Sequence, residues 1–251
     1  MITFRTVLTR ILMWMLKFLS ISQLESLMVQ LLSSRTHDMS SNEALRLLFR
    51  LDAALYSLEG KKAVEYGGGI HTKHRHTRYH DFFIDYIRPD ERILDIGCGI
   101  GALAYDVAEQ AKAYVTAIDL NPNHIEKATK QYNHPRVRYV IGDAMQKLPD
   151  GPFDAVILSN VLEHLRERPV FLRRIRETVS PKRFLIRVPL LERDWRVPLK
   201  QELGVEWRLD PSHETEYTLE SFAEELAVTG LRIDFQVVKW GEIWAVALPN
   251  E

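Results

Sequence analysis

The sequence predicts an α/β fold: a doubly wound, mostly parallel seven-stranded sheet with a closing antiparallel hairpin, preceded by a helical N-terminal extension. Three observations predict it. From residue 92 to residue 188, strand-length apolar runs alternate with helix-length amphipathic segments. The run Arg92-Ile93-Leu94-Asp95-Ile96 passes directly into a turn with glycine at alternate positions, Gly97-Cys98-Gly99-Ile100-Gly101, and then into helical spacing at Leu103, Val107 and Ala108. The chain closes on two β-rich runs, residues 231–240 and 242–248, joined at Gly241.

Composition sets the bounds. The 251 residues are 46% apolar, with 33 basic and 34 acidic side chains, enough for one α/β domain plus additional material. A net charge of −1 argues against general nucleic-acid binding, for which a basic domain is expected. Cys98, the single cysteine, excludes an intramolecular disulfide framework and a thiolate metal cluster. No apolar run approaches the ~20 residues of a membrane span. Lys17 interrupts the first apolar stretch and no small-residue cleavage site follows, so a secretory signal is not expected either. The expected location is cytoplasmic.

In chain order, residues 3–33 read as helical, with a break near Ser20–Ser22. Phe4, Val7, Leu8, Ile11, Met15, Phe18 and Leu19 form an apolar face, and Arg5, Arg10 and Lys17 lie largely away from it. Such a helix packs on the domain, packs on a second copy in a homodimer, or lies in the inner surface of a membrane. Residues 41–58 form another helix, with Leu45, Leu48, Leu51, Leu55 and Leu58 along one side. Gly67-Gly68-Gly69 breaks the pattern. The boundary is placed there: residues 1–66 as the extension and 67–251 as the main domain. The basic run from His71 to Tyr79 and His80 holds four of the nine histidines. It reads as a solvated segment or a site for an anionic group.

The alternation then gives strands at 92–96, 114–119, 137–141, 153–158 and 183–188. Helices lie at 101–111, 122–132 and 167–178, and a later one at 218–229. Asn121 caps the second of these, with Pro122 at its first position. Residues 189–216 are irregular, charged and aromatic, and are expected to cover a substrate site. In sheets of this kind ligands bind beyond the carboxyl ends of the strands, where the strand order reverses. Gly97–Gly101, Asp119, Asp143 and Ser159–His164 all fall at such ends. Asp119, eighteen residues after Gly101, can accept from the hydroxyls of a ribose. Gly99-x-Gly101-x-x-Ala104 also fits dinucleotide spacing, but the antiparallel ending does not suit a nicotinamide domain.

Residues Ile93–Gly101 resemble the first motif of class I S-adenosylmethionine-dependent methyltransferases. Ala117–Pro122, Gly142-Asp143-Ala144 with Leu148-Pro149, and Phe153–Leu165 resemble that family's later motifs, in order. The resemblance covers roughly residues 78–248. It implies a Rossmann-like methyltransferase sheet and S-adenosyl-L-methionine as cofactor. It places Asp95, Gly97, Gly99, Gly101, Asp119, Leu120, Asp143, Ala144 and Asn160 along that cofactor, with Arg78 at its methionine end. It implies methyl transfer to a small-molecule, glycan or lipid-linked acceptor at oxygen, with His164, His213 or Tyr217 as the base. Some RNA- and quinone-modifying members hold a divalent ion with Glu-x-x-Glu-His and a distant His. Here Asn160 replaces the first Glu, so Asn160, Glu163, His164 and His213 make an incomplete set and no metal is expected. The alternatives are a protein or RNA methyltransferase, a nicotinamide oxidoreductase and a catalytically silent cofactor-binding protein.

Overall fold

The structure is a computed structural model that describes residues 7, 10 and 14–250. Phe4, Leu8 and Ile11 of the predicted amphipathic face lie outside the described residues. The chain divides into two compact units, Met1–Ser57 with Leu203–Val205, and Leu58–Glu202 with Glu206–Glu251.

In the first unit, α1 (Ile21–His37) begins at the predicted break. Ser20 caps it by accepting from the Gln23 backbone N–H, and the Gln23 side chain accepts in return from Ser20 N at 2.9 Å. No α1 side chain is buried, and Phe49 is the one buried side chain of α2 (Ser41–Tyr66). Helix α2 continues through the predicted end at residue 58 into the second unit. Among the described residues, no helix is long and apolar enough to cross a membrane.

The second unit carries the sheet. Its helices before the sheet are α3 (Lys73–Thr77) and α4 (Tyr79–Asp85). There follow β1 (Arg92–Ile96), α5 (Ala102–Gln110), β2 (Tyr114–Asp119), α6 (Pro122–Gln131), β3 (Val137–Ile141) and β4 (Ala155–Ser159). Next come α7 (Arg168–Thr178), β5 (Arg183–Pro189), α8 (Arg196–Glu202), α9 (Leu219–Val228), β6 (Leu231–Lys239) and β7 (Glu242–Pro249). All seven predicted strands form one sheet in the order β3-β2-β1-β4-β5-β7-β6. The first five run parallel, and β7 lies antiparallel between β5 and β6. Helix α8 lies in a segment that periodicity alone did not resolve.

Strand alternation divides the core into two layers. Leu94, Ile96, Val156, Leu158, Phe184 and Ile186 pack with Phe171, Leu172 and Ile175 of α7 and Phe222 and Leu226 of α9. Ile93, Val115, Ala155, Ile157 and Leu185 pack on the other face with Phe82 and Phe83 of α4 and Leu103 and Val107 of α5. The strand order reverses between β1 and β4. The carboxyl ends of these two strands therefore open a crevice, with the glycine turn on one side and Asn160 on the other.

Candidate active site

The glycine turn is fixed by close approach. Gly97 sits at φ 72°, and a Cβ there would lie 2.7 Å from Val161 Cγ2. Gly101, at φ 85°, would bring one within 2.7 Å of the Tyr139 ring. Only glycine fits both backbone and space at these positions. A Cβ on Gly99 would meet nothing within 4 Å, so this side of the turn faces open space.

Asp119, at the end of β2, locks the turn in place. Its Oδ2 accepts from Gly99 N at 2.8 Å, and its Oδ1 accepts from Asn121 N at 2.9 Å. Gly97 N and Cys98 N both donate to Ile118 O. His124 Nδ1 also lies 3.2 Å from Oδ1, so Oδ2 is the oxygen that keeps a lone pair for a further donor. Leu120 beside it is 75% exposed, an apolar surface at the strand end. Asp143 makes an Asx turn, its Oδ1 accepting from Met145 N at 2.8 Å, and the Ala144 carbonyl accepts from Arg174.

Three polar side chains near the crevice carry buried oxygens that have no partner. Asp95 Oδ2 is one, and burial, with Asp119 adding repulsion, pushes that carboxyl up to about 7. Asn160 Oδ1 is the second; Asn160 sits at φ 56° with its N–H donating to Arg187 O at 2.8 Å. Glu163 is the third, fully buried with neither carboxylate oxygen bonded, and burial pushes it to about 7.

Glu163 and His164 lie on a 3₁₀ turn, Leu162–His164, directly after β4. The Glu163 carbonyl accepts from Glu214 N at 2.7 Å and Thr215 N at 3.3 Å. This draws the post-β5 segment over the crevice and sets the His164 and His213 rings 4.7 Å apart. Burial, then His213, lowers His164 from its ordinary value.

Two expected roles change. Tyr217 is buried, and its hydroxyl donates to Glu225. Burial and that carboxylate hold its pKa well above the ordinary value, so it offers no phenolate as a base. Arg78 is exposed, and its ion-pair partner is Asp81, at 2.5 Å, rather than a residue of the glycine turn. Its neighbour Tyr79 is buried instead, with the Arg187 guanidinium 3.6 Å over its ring. The histidine-rich run is not wholly solvated. His74 contacts Tyr79 Oη at 3.0 Å and is pushed down to about 4 by burial, with smaller repulsions from nearby cationic groups; His80 pairs with Asp106. Arg187 was not among the predicted site residues, and Glu163 was named only as a member of an incomplete ligand set. The signal was present for both, a charge inside an apolar stretch at the end of a buried strand.

The comparisons agree with this geometry. A family model described as a methyltransferase domain matches residues 94–186. A 2-methyl-6-phytyl-1,4-hydroquinone methyltransferase of Synechocystis is 31% identical over 159 residues, 59% of this chain and 48% of that protein. The chain spans about half the length of the curated relatives it matches. A structure of the Haloferax volcanii Trm112 methyltransferase activator with a putative methyltransferase superposes with TM-score 0.59 at 15% identity. It covers 73% of this chain and 93% of the matched one. A TehB-like S-adenosylmethionine-dependent methyltransferase of Corynebacterium glutamicum gives 0.53 at 18% identity, over 80% and 100%. At such identities the structures establish the fold. Residues 94–186 thus match a methyltransferase domain, and the sheet order with the glycine turn at its switch point is the fold of class I S-adenosylmethionine-dependent methyltransferases. That family implies S-adenosyl-L-methionine, and the residues present fit it. They offer an open glycine cradle, an orphaned buried oxygen on Asp95, a spare lone pair on Asp119 Oδ2 and an exposed apolar face at Leu120.

Proposed function

We propose that this chain methylates a small-molecule acceptor at an oxygen, with S-adenosyl-L-methionine as the methyl donor. The observation that carries the reading is the convergence of Asp95, Asn160 and Glu163, each with a buried unpartnered oxygen, beside the glycine turn and two histidines at the strand-order reversal. The donor supplies a methyl group already made electrophilic by its sulfonium. The chain's residues do the rest. The glycine turn and Asp119 bind, Leu120, Asp143 and Ala144 flank, and the post-β5 segment excludes water. His164 and His213 stand where an acceptor hydroxyl must lose its proton. Orientation alone supplies effective molarities of roughly 10⁵–10⁸ M, and a general base adds about 10²–10⁴-fold. The hydroquinone substrate of the Synechocystis relative supports a phenolic or lipid-linked acceptor.

Titration with S-adenosylhomocysteine tests the donor site. Asp119→Ala removes charge-assisted hydrogen bonds worth about 1.5–3 kcal/mol and is expected to weaken binding roughly ten- to a hundred-fold. Equal affinity in the variant overturns the assignment of Asp119. Incubation with hydroquinones and lipid-linked sugars, read by mass, then identifies the acceptor. Methylation at nitrogen or carbon alone would refute the oxygen reading.

The first unit supports a second part of the proposal, peripheral contact with an anionic membrane face. Trp14, Met15, Phe18 and Ile21 are all exposed, and no acidic residue precedes Glu25, while Arg10 and Lys17 are cationic. Deleting residues 1–35 should move the protein from the membrane fraction to the supernatant. An identical distribution of both forms would remove this contact from the proposal.

A further inference from the structure

We propose that Arg187, with Lys73 beside it, binds a singly charged oxyanion on the methyl acceptor, a carboxylate or a phosphodiester, and so selects acidic acceptors. The assignment to the acceptor rests on the proposed methyl transfer; the anion site itself does not.

Arg187 stands near the carboxyl end of β5, in register with Ser159, the last residue of β4. It is 6% exposed, and its Nε has no hydrogen-bond partner. Among the described residues the carboxylate in ion-pair range is Glu242, whose Oε2 lies 3.6 Å from Nη1, beyond hydrogen-bond reach. That same oxygen already accepts from Trp244 Nε1 at 3.1 Å. The Tyr79 ring, 3.6 Å from the guanidinium carbon, attracts the charge but gives the fork of N–H groups no lone pairs. A guanidinium buried with its donors so poorly met is costly. An anion with two oxygens is the ligand that meets it, through two parallel hydrogen bonds.

Lys73 is the second, independent observation. It opens α3 and is exposed, and its ammonium has no carboxylate within ion-pair distance among the described residues. Desolvation, then the Arg187 guanidinium, holds its pKa below the ordinary value, with Glu242 opposing, so the three groups share one field. The helix is seated by the 3.0 Å contact between His74 Nδ1 and Tyr79 Oη, which sets Lys73 and Arg187 around the same tyrosine. His74, pushed down to about 4, is neutral at pH 7 and adds no charge. Two cations against the one carboxylate of Glu242 leave an excess of one positive charge, which a monoanion balances. Glu163, pushed up to about 7 with Arg187 among its neighbours, adds negative charge as it ionises and disfavours a dianion.

The place of Arg187 in the sheet separates it from the donor site. Asp119 ends β2 and Asp143 follows β3, so the proposed donor residues run from the β3 side of the sheet to the glycine turn after β1. Arg187 lies two strands from β1 in the other direction, about 10 Å away at the usual spacing of strands. An anion there sits past the donor, on the side from which an acceptor approaches.

The full chain is titrated with benzoate, with methyl phenyl phosphate and with neutral benzamide by ligand-observed NMR, in the presence and absence of saturating S-adenosylhomocysteine. With S-adenosylhomocysteine bound, one of the two anions should bind at least ~10-fold more tightly than benzamide, and the tighter anion names the acceptor's group. Arg187→Lys keeps the charge and loses the fork, and should erase that preference. Lys73→Ala, at an exposed position where folding is not at risk, should weaken anion binding roughly three- to tenfold and flatten its dependence on salt. Affinity for S-adenosylhomocysteine should be unchanged in both variants. No preference for either anion over benzamide overturns the site, as does a preference that survives intact in both variants. Mutual exclusion of the anions and S-adenosylhomocysteine also overturns the proposal, because the cations would then serve the donor's own carboxylate. Anion preference in a chain that binds no S-adenosylhomocysteine sinks the methyl-transfer reading and leaves the anion site standing; S-adenosylhomocysteine binding without anion preference does the opposite.

Discussion

The two ends of one parallel sheet treat the same residue types in opposite ways. At the amino ends of the strands, carboxylates are paired. Glu91 holds Arg183, and Asp154 accepts from Lys182 at 2.8 Å and from Arg92 N at 2.9 Å. Arg136 is shared between Asp90, the Lys112 carbonyl and the Tyr114 ring. A cleft of about 440 Å³ lies here, lined by Asp90, Arg92, Tyr114 and Arg136. The net shift of both Glu91 and Asp154 is below the usual carboxylate range; hydrogen bonds to Arg183 and Arg88 overcome desolvation at Glu91, and those to Arg92 and Lys182 dominate at Asp154. At or near the carboxyl ends, Asp95 and Glu163 are more deeply buried, carry unpartnered oxygens and are raised to about 7. A fold that satisfies its carboxylates at one end, and bonds Asp119 and Asp143 at the other, yet leaves Asp95 and Glu163 there with unpartnered oxygens is holding those two for something that binds.

The comparison predicts opposite signs for charge removal. Asp95 has its folded-state value raised from 3.8 to about 7. The folded protein therefore binds more protons than the unfolded chain between those values, and stability falls as pH rises through that window. Asp95→Asn cannot ionise. Relative to the parent, it should gain on the order of 4 kcal/mol in unfolding free energy between pH 4 and pH 8. Parallel denaturant curves at the two pH values read this directly. A parent and variant that track each other with pH would show that Asp95 is not held against its charge.

The architecture was legible because it rests on period. Ile93, Leu94 and Ile96, alternating between the two core layers, and the helical spacing of Leu103 and Val107 are local signals. Gly97 and Gly101 were legible because their backbone leaves no other choice. Tyr217 and Arg78 were not, because their partners, Glu225 and Asp81, are choices of side-chain geometry that residue type does not encode. Glu163 was named as part of an incomplete ligand set, yet its burial without a partner depends on how residues 210–215 fold back over it. The short helix Lys73–Thr77 was hidden by charge. Composition reads such a run as solvated, whereas Tyr79 and Arg187 draw part of it inward.

The amino end gives the second, smaller effect. Arg183 and Glu91 are both largely buried, with side-chain exposures of 14% and 13%, and Arg183 Nε also donates to Tyr86 O at 2.8 Å. Arg183→Ala leaves Glu91 with the Arg88 N–H and little else to balance its charge. Removing one partner of such a pair costs about 3 kcal/mol, mostly as the penalty on the charge left behind. The variant should therefore unfold at lower denaturant at pH 7. Because Glu91 is held low by its partners in the parent, the deficit should shrink as pH falls and both forms protonate that carboxyl. Affinity for S-adenosylhomocysteine, set at the opposite end of β1, should be unchanged in the folded variant. A drop in that affinity equal to the one expected for Asp119→Ala would mean that the two ends are coupled, and that the division between a structural end and a binding end is false.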